Sequence, residues 1–176
     1  MLQPSSQWYW YIDSHSEHLC ISLDRELCFT TPYHAKSVFL AKGRQEAFSL
    51  ADLDHYAELA DCLEQSCLRL SAAELTQILL VAAAALAFHK PLAAKSWYFA
   101  VQQHGGEFHR LATLHNEYGQ GLVLVLFREG PMATCMLLSK HMQLDSTKHL
   151  EQFQLIKLMA DRLQAYIPTF HQQKSA

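Results

Sequence analysis

Eleven histidines and five cysteines are the side chains of this sequence best equipped for catalysis or metal binding, and neither set is spaced for it. His15 and His18 stand three apart in what reads as a hairpin loop, where that spacing does not aim both rings at one ion. Cys62 and Cys67 are five apart on a predicted helix, which turns them about 140° from each other around the axis. The five cysteines (Cys20, Cys28, Cys62, Cys67 and Cys135) form an odd set without C-x-x-C. They are expected to be reduced thiols packed as small hydrophobes. No H-E-x-x-H, G-x-S-x-G, phosphate-binding P-loop or G-x-G-x-x-G is present. "QHGGE" (103–107) carries two glycines, but between strands it reads as a hairpin turn rather than a phosphate cradle. These residues predict neither a metal nor a cofactor and give an enzyme little to work with.

Two lysines are more informative. "FHKPLAAKSWYF" (88–99) follows the most apolar run of the chain, "ILLVAAAALA". Lys90 falls at a helix C-terminus, where a cation complements the macrodipole. Lys95, beyond Ala93 and Ala94, gains nothing from that dipole. Two lysines on one corner of a chain of net charge −3 make a local basic site for an acidic partner. Lysine, a hydrated point charge, suits reversible binding. The tryptophans Trp8, Trp10 and Trp97 all fall in predicted strands and read as buried structural anchors. An aromatic-lined peptide groove is the competing use for them.

The elements that must position these residues follow from periodicity. "WYWYID" and "HLCISL" read as a hairpin around "SHSE", with "ELCFTT" as a third strand. Alternation places Trp8, Trp10 and Ile12 on one face. Ser49 can cap a helix to about Leu68 that carries Leu53, Tyr56, Ala57, Ala60 and Leu63 at helical spacing. "SAAE" (71–74) is a capping box that opens a second helix, and Pro91 ends it. Beyond Lys95 come "SWYFAV", "EFHRLATL", "GLVLVLF", "MATCMLL", "HMQLD" and "KHLE", short strands that suggest an antiparallel sheet curling toward a barrel. "FQLIKLMADRLQAY" reads as a closing amphipathic helix with Phe153, Ile156 and Leu163 inward, followed after Ile167 by a frayed tail. The expected class is α+β. An α/β domain over residues 1–94 precedes a β-rich, barrel-like domain over 95–176 closed by a C-terminal helix.

Composition narrows the function classes. Half of the 176 residues are apolar and 18% are charged, which is a globular composition. The net charge and the absence of an Arg/Lys stripe disfavour nucleic acid as partner. The longest apolar stretch, Ile78 to Phe88, has eleven residues against the roughly 20 that a membrane span needs, so no membrane insertion is expected. The N-terminus lacks the pattern of a signal peptide, and a cytoplasmic protein is expected.

Three signatures then stand out together: "W-x-W-Y-x-D" from Trp8, "KP-x-x-x-KSW-x-F" from Lys90 and "M-x-DRL" from Met159. In these, and in most of the chain from Trp8 to Leu163, the sequence resembles the ZapC family of cell-division proteins. The resemblance implies an α/β N-terminal domain and a twisted, β-barrel-like C-terminal domain, without enzymatic activity or cofactor. It implies binding to the tubulin-like GTPase FtsZ, bundling of FtsZ filaments, lowered GTP turnover and recruitment to the Z ring at midcell. The family's two groove lysines fall on Lys90 and Lys95, and a hydrophobic position important for the FtsZ interaction falls on Ile21. A monomer is expected, with a dimer left open because bridging filaments takes two surfaces. The alternative is a small-molecule-binding or enzymatic protein that uses a pocket between the two domains, with Lys90 and Lys95 as anion-binding groups.

Overall fold

The computed structural model describes residues 1–103 and 110–168. Its first sheet is antiparallel with strand order β3-β2-β1-β4: β1 (Tyr9–Ile12), β2 (His18–Ser22), β3 (Cys28–His34) and β4 (Gln45–Ala47). Alternation decides its faces: Trp8, Trp10 and Ile12 are buried while Tyr9 and Tyr11 between them are half-exposed. Trp10 pairs with Ile21 across the hairpin, and Ile21 with Phe29 on the next strand, so one apolar row spans β1, β2 and β3.

Two helices follow, each opened by a side-chain cap. The Ser49 hydroxyl accepts from the Asp52 amide, and the Asp52 carboxylate accepts from the Ser49 amide, at the start of α1 (Leu50–Gln65). Ser71 and Glu74 make the same reciprocal pair for α2 (Ala72–Phe88). Each cap satisfies amide donors that the first turn leaves unpaired, an effect of about 1 kcal/mol. On α1 the buried face is Asp52, Tyr56, Leu59, Ala60 and Leu63, rotated from the expected one; Leu53 and Ala57 are exposed. α2 is buried almost all round from Ile78 to Ala85, and its alanines admit neighbours closely on every side.

The second sheet is antiparallel with order β10-β7-β6-β5-β11: β5 (Leu111–Asn116), β6 (Gly119–Glu129), β7 (Met132–Leu137), β10 (Leu155–Met159) and β11 (Gln164–Ala165). β8 (His141–Gln143) and β9 (His149–Glu151) form a separate hairpin. β6 is buried on both faces. Leu124 and Leu126 join a core shared with the first sheet and both helices, whereas Val123 and Val125 join a second core under the β8–β9 hairpin. That hairpin sits close because Gly121 has no side chain: a Cβ there would lie 2.6 Å from the Met142 sulfur. Among the described residues no helix is long and apolar enough to cross a membrane.

Three expectations are corrected. The second sheet is open, with β10 and β11 at its edges, and does not close into a barrel among the described residues. The stretch expected as a closing helix is instead β10, a 3-10 turn (Ala160–Arg162) and β11. Ile156 and Leu158 are buried on either side of half-exposed Lys157, a period of two that five pairs to β7 hold in place. "SWYFAV" is not a strand either: Ser96–Tyr98 form a 3-10 turn. The "QHGGE" turn, from His104 on, and the tail from residue 169 lie outside the described residues.

Candidate functional site

α2 ends at Phe88, and His89 leaves it in extended conformation. The departing chain is laced to residues 37–39: the Phe39 amide donates to Phe88 O at 2.8 Å and the Lys90 amide to Ser37 O at 2.8 Å. The Lys90 ammonium is itself engaged, donating to Lys36 O at 2.8 Å across this crossing rather than to the last carbonyls of the helix. Five residues on, the Lys95 amide donates to Lys157 O at 2.8 Å, and Ser96 Oγ accepts from the Met159 amide at 2.8 Å. The link is therefore pinned to β10, the edge strand, and the Lys95 side chain is exposed.

The two lysines line different depressions. Lys90 borders two hollows beside Phe39, whose ring is 68% exposed. Lys95 borders a cleft of about 420 Å³ at the seam between the two sheets. Its walls come from the end of β3 (Pro32, His34), the corner after α2 (His89), the 3-10 turn (Tyr98) and the β8–β9 hairpin (Lys148, His149). Two lysines and three histidines thus face one cleft whose wall includes no carboxylate.

Hydrogen bonding sets what each group offers. His34 Nδ1 accepts from the Lys36 amide at 3.1 Å, which leaves Nε2–H for Glu17, 3.2 Å away. His89 Nδ1 lies 2.8 Å from Lys90 O, so that nitrogen carries the proton and Nε2 is left over. His149 Nε2 lies 2.7 Å from a Glu151 oxygen. The Lys148 ammonium donates to Tyr98 Oη at 3.3 Å, and this bond raises the lysine's pKa. The cleft's positive charge is therefore chiefly that of its two lysines, while its histidines are held by Glu17, Lys90 O and Glu151.

Two family models cover the chain in succession: the N-terminal part of cell-division protein ZapC over residues 1–90 and its C-terminal part over 91–168. The chain belongs to the ZapC family of cell-division proteins. Among ZapC relatives, the protein of Pseudoalteromonas atlantica is 41% identical over 169 residues, 93% of each chain. Those of Shewanella frigidimarina and Vibrio vulnificus are 33% and 31% identical, the first over 93% of each chain and the second over 93% of this chain and 91% of its own.

Two residues singled out from the ZapC resemblance or from alternation sit otherwise than expected. Ile21 is 0% exposed in the middle strand pair and presents no surface of its own. Trp97 is 71% exposed. The 3-10 turn replaces alternation by a three-residue period, which swings Trp97 outward and sends Phe99 into the second core in its place. Trp8 and Trp10 are buried at 2% and 0%. Sequence reasoning missed Lys148, His34, His89 and His149 as cleft residues. Only the adjacent pair Lys148–His149 hinted at local positive charge, and nothing in the sequence tied it to Lys95.

Proposed function

We propose that this ZapC-family protein works in bacterial cell division by binding FtsZ through the Lys95 cleft. It promotes lateral association of FtsZ filaments, lowers their GTP turnover and so stabilises the Z ring at midcell, acting from the cytoplasm and without catalysis of its own. The observation that carries this reading is the cleft itself: Lys95 and Lys148 in one wall without a carboxylate, on a chain of net charge −3. Such a patch concentrates attraction for an acidic surface and repels a basic one. Charge neutralisation alone brings acidic filaments together, so a monomer with one such site suffices for bundling.

A small-molecule or enzymatic use of the cleft has one observation in its favour, the presence of Lys95 among histidines. It is the weaker reading. The Ser37 hydroxyl in the wall donates to His34 O at 2.8 Å, no cysteine lines the cleft, and among the described residues no three His, Cys, Asp or Glu side chains are placed to hold one metal ion. The test is co-sedimentation of the purified protein with FtsZ and GTP, alongside negative-stain images and phosphate release. Enrichment in the pellet with thicker bundles and slower phosphate release is expected; a protein that stays in the supernatant while FtsZ polymerises normally refutes the proposal.

A further inference from the structure

On the far side of Tyr98 from the Lys95 cleft lies a hollow of about 390 Å³ with the opposite character. Its wall includes Trp97, Glu117, Asp145 and His115, whose Nε2 is held by the Thr113 hydroxyl at 3.1 Å, and neither lysine nor arginine lines it. Trp97 is 71% exposed, and Tyr118, beside Glu117 at the β5–β6 hairpin tip, is 48% exposed. An exposed indole beside exposed aromatic and acidic groups is an unusual surface to leave in water. The charges belong together: Glu117 first, and then Asp145, raise the pKa of the Tyr118 hydroxyl. Among the described residues no lysine, arginine or histidine side chain forms an ion pair within 4 Å of either carboxylate, although, after the Thr147 amide, the Lys148 charge helps to lower the pKa of Asp145.

The scaffold around the hollow is stiff. Asn116 Oδ1 accepts from the Tyr118 amide at 2.9 Å, while its Nδ2 donates to Gln143 O at 2.7 Å, fixing the hairpin tip to the β8–β9 hairpin. Asp145 Oδ1 accepts from the amides of Thr147 and Lys148, both at 2.8 Å. The Trp97 turn is held by Phe99, 4% exposed, and by the Ser96–Met159 hydrogen bond. Little ordering remains to be done when a ligand arrives.

We propose that this hollow is a second docking site, for a protein segment that presents arginine or lysine. A guanidinium stacked on the Trp97 face gains cation–π attraction while its N–H groups reach Glu117 or Asp145. Charge complementarity selects this occupant: an acidic segment would meet two carboxylates, and an apolar one would strip water from them without compensation. The hollow borders the Lys95 cleft, since the amide of Lys148 in that cleft donates to Asp145, but its occupant does not depend on what the cleft binds. It gives the molecule a basic and an acidic-aromatic face on the two sides of Tyr98.

The test is fluorescence anisotropy of a fluorescein-labelled Gly-Arg-Gly-Arg-Gly peptide titrated with the full chain at low ionic strength. Saturable binding is expected, weaker for the lysine analogue because lysine stacks less well. Trp97→Ala should weaken it about three- to tenfold and Glu117→Gln about two- to fivefold. Lys95→Ala should not weaken it. Both site variants should melt like wild type, since the altered side chains are exposed. Equal affinity of wild type and Trp97→Ala, or no saturable binding of the arginine peptide by wild type, overturns the proposal.

Discussion

Reversing the two cleft lysines, Lys95→Glu with Lys148→Glu, separates a binding role from a folding role. The Lys95 ammonium makes no hydrogen bond or ion pair among the described residues, and Lys148 makes only exposed contacts: it donates to the Tyr98 hydroxyl at 3.3 Å, lies over that ring and attracts Asp145. Neither change should unsettle the fold. In the complex, each lysine at the rim of an interface contributes roughly 0.5–1 kcal/mol, and a glutamate adds a repulsion of similar size. Together they cost about 2–4 kcal/mol, or roughly 30- to 1,000-fold in affinity for FtsZ. Lys90 supplies the contrast. Its ammonium donates to Lys36 O, so Lys90→Ala removes a bond that ties two chain segments together. That should lower the melting temperature by about 1–4 °C. The assay is FtsZ co-sedimentation beside thermal melting for the single and double variants, at low and moderate salt. Binding by wild type should weaken with salt, because exposed charges are screened beyond about 10 Å at 0.1 M. A folded double variant that pellets with FtsZ like wild type refutes the cleft as the binding site.

Gly121→Ala should destabilise the protein by about 1–3 kcal/mol, because the new methyl meets the Met142 sulfur and a Leu137 methyl in a packed core; an unchanged melting temperature would show that the hairpin yields freely. Tyr33→Phe removes the hydroxyl that donates to Phe153 O at 3.1 Å across the seam, and urea denaturation should show a loss of about 1–3 kcal/mol. In alkali the protein should weaken: burial holds the Cys135 thiol near 12 against 9.0 for an ordinary one, so the unfolded chain loses its proton first. That contribution is complete below pH 9.0 and is lost as pH rises toward about 12. Urea midpoints from pH 7 to 11 that stay flat, or that fall equally in Cys135→Ala, would remove Cys135 from the account.

Capping made the helices readable. Ser49, Ser71 and Glu74 announce their starts locally, and Pro91 forces the second to stop, so no distant partner had to be known. Around β10 the apolar spacing of Phe153, Ile156 and Leu163 suits an amphipathic helix, a preference that Leu, Lys, Met and Ala share in isolation. The pairing of β10 with β7, remote in sequence, overrode that preference. The same strand captured the Lys95 amide and Ser96 Oγ, which turned "KSWYF" into a 3-10 turn and put Trp97 in solvent. Burial of Ile21 was not legible from alternation, because Cys20 and Ser22 on either side of it are buried too. The cleft was half legible. Lys95 stood out as a cation without a local role, whereas Lys148, His34, His89 and His149 converge on it only through the packing of two sheets.

The core shared by both sheets bears on how the molecule is made. Trp10, Ile21 and the α2 face from Ile78 to Ala85 share one apolar cluster with Leu124, Leu126, Met136 and Phe153. During synthesis the first sheet and both helices leave the ribosome long before those partners exist. Through that interval α2 can pack on α1 and the first sheet, but its side toward the second sheet has water or a chaperone for a neighbour. The nascent N-terminal half should therefore be a client of holding factors and prone to self-association, and the fold should close only once Phe153 has been made.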